Sequence, residues 1–240
     1  MTLAEGSITR LANTRANTTF EGIYESSRHT FVTTPDCSPR LADGITSILA
    51  TSISDQWKQP LSTYTLRNLF LVDLSELDRS LPQIILKKSR FTGDKNPGSS
   101  VSVTQEIQAN RKLRDIVSAM NIPPDVLDRH NLSGVSVAVE QPIGALFDKK
   151  TRERFTAFIF EEGFDSGERL KHHDDPIESD WKMYWAVSDV VDFVKVTAEK
   201  KGLVLEDYGC YQTLYRLNPN TRHLSLVLID TERAILPLVA

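Results

Sequence analysis

The sequence predicts an α+β fold, and three observations carry that prediction. Short apolar segments with two-residue alternation recur between residues 60 and 165. Two longer segments, near 104–121 and 181–201, place apolar residues at helical spacing instead. The chain then runs through "YQTLYRL" and "LSLVLID", two strand patterns around the turn "NPNT". The resulting order is two strands, a helix, two strands, a connector, a long helix and a hairpin. A length of 240 residues suffices for one substantial core or two smaller ones.

Residues 1–59 read as a polar N-terminal extension, rich in Ser and Thr, with "TTPDCSP" as a loop. Within it Leu41, Ile45, Leu49, Ile53 and Trp57 lie four apart, which predicts a helix near 40–57. That stripe either packs on the body of the protein or meets a protein partner. Next, "STYTLRNLFLVDLSE" and "PQIILKKSR" read as strands, and "FTGDKNPGSS" as a loop. A helix follows over about Thr104–Asn121, with Thr104 as its N-cap. "GVSVAVEQP" and "RFTAFIFEEGF" read as two further strands, separated by "IGALFDKKTRER" as a long charged hairpin loop. After a second loop, Asp180 caps an apolar helix that Gly202 stops.

Composition narrows the function classes. No apolar run approaches the ~18 residues needed to span a bilayer, so no membrane role is expected. A formal net charge of -4 makes nucleic-acid binding a poor default. Two cysteines, Cys37 and Cys210, cannot build a disulfide framework, and the expected compartment is the cytoplasm. "KHHDDP" offers metal-ligand residue types, but adjacent histidines point apart. The stripe from Trp181 through Met183, Trp185, Val187, Val190, Val191 and Val194 reads as core.

Chemistry concentrates at five positions. In "IILKK" one of Lys87 and Lys88 must face the protein, and Lys87 shares the face of Ile85. Glu106 falls at helical spacing from Ala109, Leu113, Ile116, Val117 and Met120. A carboxylate at the edge of an apolar stripe costs free energy unless it meets a cation, and Lys87 is the natural candidate. Asp207, Gln212 and Asp230 fall at one end of the C-terminal hairpin. Two carboxylates and an amide there can hold a divalent cation and orient a hydroxyl; the plainer alternative is a surface hairpin with solvated acids.

The order of these elements and positions resembles the protein-kinase-like superfamily, particularly its aminoglycoside/choline-kinase and atypical branch. "IILK" resembles the strand carrying the ATP lysine, and Glu106, 19 positions later, its helix partner. "VSVAVEQP" and "FTAFIFEEGF" are similar to the strands leading to the hinge, with "EEGFDSG" as the hinge itself. "LEDYGCYQ" is similar to the catalytic loop, and "LIDTE" to the metal-binding strand end. The resemblance implies a two-lobed kinase-like fold, with residues 60–164 as N-lobe and 165–240 as a minimal C-lobe. It also implies ATP and Mg2+ as cofactors. Lys87 and Glu106 would then bind nucleotide, Asp207 serve as catalytic base, and Asp230 with Gln212 hold metal.

Departures from the pattern imply an alternative. No G-x-G-x-x-G occurs, and "LSTYTLRN" stands in its place. Leu205 and Glu206 replace the usual histidine and arginine before the catalytic aspartate. A degenerate pseudokinase, acting as a binding or regulatory module, is the competing expectation.

Overall fold

The structure is a computed structural model, and it describes residues 9–12, 20–50, 69–75, 77–88, 103–160, 163–166, 178–206, 208–229 and 234–235. The elements in chain order are β1 (Thr9–Ala12), β2 (Gly22–Glu25), β3 (His29–Thr33), α1 (Pro39–Ala50), β4 (Leu69–Val72) and β5 (Ile84–Lys88). There follow α2 (Val103–Ser118), α3 (Pro124–Arg129), β6 (Gly134–Val139), β7 (Pro142–Asp148), β8 (Arg154–Ile159) and β9 (Asp165–Ser166). The last are α4 (Glu178–Lys200), β10 (Val204–Leu205), a 3-10 turn (Cys210–Gln212), β11 (Thr213–Leu217), β12 (His223–Leu228) and β13 (Ala234–Ile235). The architecture is α+β, as the sequence predicts. Among the described residues no helix is long and apolar enough to cross a membrane.

The chain divides into two compact units. The first comprises Met1–Ile107 and Gln141–Phe160, and the second Gln108–Glu140 and Glu161–Ala240. The first is built on a seven-stranded sheet in the order β1-β2-β3-β7-β8-β5-β4. Every neighbouring pair in it is antiparallel. One face of this sheet carries Phe31, Phe70, Leu86, Leu146, Phe155 and Ala157, and α1 covers it with Leu41, Ala42 and Ile45. The α1 stripe is therefore spent on the core as far as Ile45; the part expected over 51–57 lies outside the described residues.

The second unit pairs β6-β12-β11-β9 into a four-stranded sheet, with β10 and β13 forming a separate antiparallel pair. Here β6 runs parallel to β12, and the other neighbours are antiparallel. Leu224, Leu226 and Leu228 present one face of it to a core shared with Leu113 of α2 and Val187, Val190, Val191 and Val194 of α4. Gly202 ends α4 at φ 72°, a left-handed conformation that favours glycine. Lys112 donates to the Gly202 carbonyl at 2.6 Å, a cation placed where the helix dipole is negative.

Several sequence expectations are corrected. Residues 142–148 are strand β7, not loop; the strand is central and buried on both faces, so it reads as an apolar run without alternation. Only the turn at 149–153 is loop, with the Asp148 carboxylate accepting the backbone N–H groups of Lys150 and Thr151. "GVSVAV" does not adjoin "RFTAFI": β6 belongs to the sheet of the second unit. Alternation reveals which face of a strand is apolar, but not which strand it pairs with. The N-terminal segment contributes β1, β2 and β3 to the large sheet. α2 begins at Val103, so Thr104 lies inside it, and α4 begins at Glu178, so Asp180 lies inside it. Trp181 and Trp185 are 49% and 54% exposed, outside the core that the four valines enter.

Candidate functional site

In the first unit the chemistry gathers on the sheet face opposite α1. Strand alternation separates the two lysines of β5. Lys88 stays half-buried and pairs with Glu153 at 2.6 Å, while Lys87 is only 5% exposed. Cross-strand register sets Lys87 opposite Thr156 and Ile85 opposite Phe158 on β8. These four side chains share one face, since i and i+2 on a strand point the same way. The Lys87 ammonium lies over the Phe158 ring, 4.5 Å from its centroid. That contact offsets part of the cost of taking the charge out of water.

Glu106 reaches the same face from the first turn of α2. It is 3% exposed, and its carboxylate accepts a 2.7 Å hydrogen bond from the hydroxyl of Thr156, itself fully buried. Lys87 and Glu106 thus converge on one residue: Thr156 is the cross-strand neighbour of the first and the hydrogen-bond donor to the second. A carboxylate in the first turn of a helix is also favoured by the helix dipole. Register and the Thr156 hydroxyl thus bring an ammonium and a carboxylate to one buried face of the sheet.

In the second unit β10 pairs with β13, the 3-10 turn leads into β11, and the β11–β12 hairpin returns the chain to Ile229. Tyr208 ties this end together. Its hydroxyl lies 2.7 Å from the Gln212 carbonyl oxygen and 2.8 Å from that of Ile229, sharing its proton between them. The Ile229 N–H also donates to the Gln212 carbonyl at 3.0 Å. Gln212 is buried, and its side-chain oxygen accepts the Gly209 N–H at 3.0 Å. One lone pair of that oxygen is therefore committed to the loop, and the other remains by valence.

Asp207 and Asp230, the two expected acids, lie outside the described residues, as do His172, His173, Asp174, Asp175 and the whole segment "LSTYTLRN". Their described neighbours Tyr208 and Ile229 are joined by the hydroxyl contact above. Among the described residues no group of three or more His, Cys, Asp or Glu side chains is placed to hold a metal ion.

Sequence reasoning missed Thr156, Phe158 and Tyr208. The signal for Thr156 was present: a hydroxyl in the middle of "RFTAFIF" has to find a partner when buried. Tyr208 gave no such signal, because nothing in its spacing announces a bond to a strand 21 residues away. No family model matches the chain, and no curated protein matches it in sequence.

Proposed function

We propose that this chain is an atypical, kinase-like phosphotransferase that uses ATP and Mg2+ to phosphorylate a hydroxyl acceptor. The observation that carries the reading is the convergence of buried Lys87 and Glu106 on Thr156. Phosphoryl transfer depends mostly on positioning and electrostatics, and a strand lysine held by a helix glutamate is the part of that machinery which grips nucleotide phosphates. The donor type suits the ligand: an ammonium is a cationic N–H donor to anionic phosphate oxygens.

ATP supplies the transferable phosphoryl group and Mg2+ the charge neutralisation. In this reading Lys87 orients phosphate oxygens, and Glu106 holds the lysine at its station. Asp207 accepts the proton of the acceptor hydroxyl, while Asp230 and Gln212 hold the metal. The Tyr208 hydroxyl, bound to the carbonyls of Gln212 and Ile229, keeps the loop and the strand end of the hairpin in register. The two compact units would correspond to the two lobes of a kinase-like fold.

A second reading, the pseudokinase, is favoured by one observation. The Gln212 side-chain oxygen already accepts the Gly209 N–H, which leaves it one lone pair rather than two for a cation. One experiment separates the readings. Thermal unfolding is followed with and without ATP and Mg2+, in the parent, Lys87→Ala and Asp230→Ala, alongside phosphate transfer to a panel of hydroxyl acceptors. A ligand that binds only the native state raises apparent stability. The phosphotransferase predicts a shift in the parent that both variants lose, together with transfer. A shift without transfer supports the pseudokinase, and no shift in the parent overturns nucleotide binding altogether.

A further inference from the structure

The four-stranded sheet of the second unit has one face in the core and a second face that the core does not use. Register places Ser136 of β6, Ser225 of β12 and Arg216 of β11 side by side across that outer face. His223 lies one step along β12, opposite Gly134. The Ser136 hydroxyl donates to the Ser225 hydroxyl at 3.2 Å, and the His223 Nε2 stands 3.2 Å from the Ser136 hydroxyl. Strands β11 and β12 and the 218–221 turn, with Ser133 beside them, line an open groove of about 710 Å³. Ser133, Arg216, Asn220, Thr221, His223 and Ser225 are among the residues lining it, and among the described residues no carboxylate is.

That last point is unusual in a chain with 32 acidic and 28 basic residues. Arg216 sharpens it. Its guanidinium lies 4.5 Å from the Phe164 ring centroid and makes no ion pair with any described residue. Stacking on an aromatic face steadies the planar fork and leaves its edge donors available. An arginine ordinarily finds an acid nearby in an acidic protein; here it is steadied by an aromatic ring, in a groove supplied with hydroxyl, amide and imidazole groups. Such a set is complementary to a tetrahedral dianion, which accepts the guanidinium fork on two oxygens and hydroxyl donors on the rest.

We propose that this groove is an anion-binding site, and that its ligand carries a phosphate monoester. The chemistry is shared by two sources, a free phosphorylated metabolite and a phosphorylated serine side chain. The proposal uses only residues of the second unit and does not depend on nucleotide binding by Lys87.

The test is a 1H–15N titration of the full chain at constant ionic strength. The probes are inorganic phosphate, a phosphoserine peptide and its unphosphorylated form, with chloride as the control. Backbone amides of Ser133, Asn220, His223 and Ser225 are expected to move with phosphate and not with chloride. Arg216→Ala, an exposed position, should weaken that response about tenfold or more, since a charge-assisted hydrogen bond is lost. Arg216→Lys should restore it only in part, because an ammonium cannot make the two-pronged contact. Tighter binding of the phosphopeptide than of inorganic phosphate would identify a protein side chain as the source, and equal binding a free metabolite. Chloride and phosphate moving the same amides equally, or Arg216→Ala leaving the response unchanged, would overturn the site.

Discussion

Thr156 shows how much a single buried hydroxyl can organise. It is fully buried, it faces Lys87 across the ladder, and it donates to Glu106. Thr156→Val keeps the shape and removes the donor, leaving a buried carboxylate short of one hydrogen bond. Loss of a bond to a charged group costs about 1.5–3 kcal/mol, which urea unfolding should register as a lower midpoint with an unchanged slope. If Lys87 and Glu106 act as a pair, a double-mutant cycle of Lys87→Met and Glu106→Gln should show coupling above about 0.5 kcal/mol, and additivity would dissolve the pair. Asp148 is a second case. Burial pushes its carboxyl up, but the N–H groups of Thr151 and Lys150 and the Arg28 guanidinium outweigh that and hold it below the usual range. Because the folded-state value is depressed, the stability it adds is complete above the unfolded value, about 4, and is lost as pH falls through the folded one. Asp148→Asn should therefore be less stable than the parent at neutral pH, and the gap should narrow as the solution is acidified below pH ~4. Chemical unfolding across that range measures it; a gap independent of pH would place the stabilisation elsewhere.

Elements were legible where their pattern was local and hidden where a distant partner decided them. β5 and β8 could be read from "IILKK" and "RFTAFIF", and alternation correctly put Lys87 and Lys88 on opposite faces; that Lys87 is the buried one is seen only in the structure. The helices of 103–118 and 178–200 announced themselves by period, to within a few residues at each end. β7 did not, because a strand buried on both faces loses its alternation, and its Pro and Gly imitate a loop. Gly144 shows why glycine is there. A Cβ at this position would press on the Val32 carbonyl oxygen and come within 2.7 Å of the Phe31 ring, at the irregularity in the β7–β8 ladder. Gly144→Ala must therefore displace a backbone atom of β3 or a ring that is 1% exposed. Overpacking of this kind costs about 1–3 kcal/mol. The loss should appear in hydrogen exchange as faster exchange of amides in β3 and β7; unchanged protection there would mean the ladder absorbs a methyl group freely.

At the scale of the molecule, the candidate site was half legible. The burial of one β5 lysine and of Glu106 could be anticipated because a charge in an apolar pattern is a local anomaly. The Tyr208 clasp could not, because it depends on a hairpin closing over 21 residues. The expected division ran between 60–164 and 165–240, whereas the second unit takes residues 108–140 before the first unit takes back 141–160. Among the described residues the two cores share none. One gathers Phe31, Phe70, Leu86 and Phe155, and the other Leu113, Val190, Leu226 and Leu228. Separate cores predict separate cooperative units, since truncating a side chain weakens the packing that surrounds it and leaves remote contacts intact. Phe155→Leu should accelerate exchange in β5, β7 and β8 while β11 and β12 keep their protection. Leu226→Ala, costing about 2–5 kcal/mol in its own core, should do the reverse. Native-state hydrogen exchange followed amide by amide distinguishes this from a single cooperative fold, in which either substitution would lower protection everywhere by the same amount. A uniform loss would mean that the interrupted path of the chain binds the two cores into one transition.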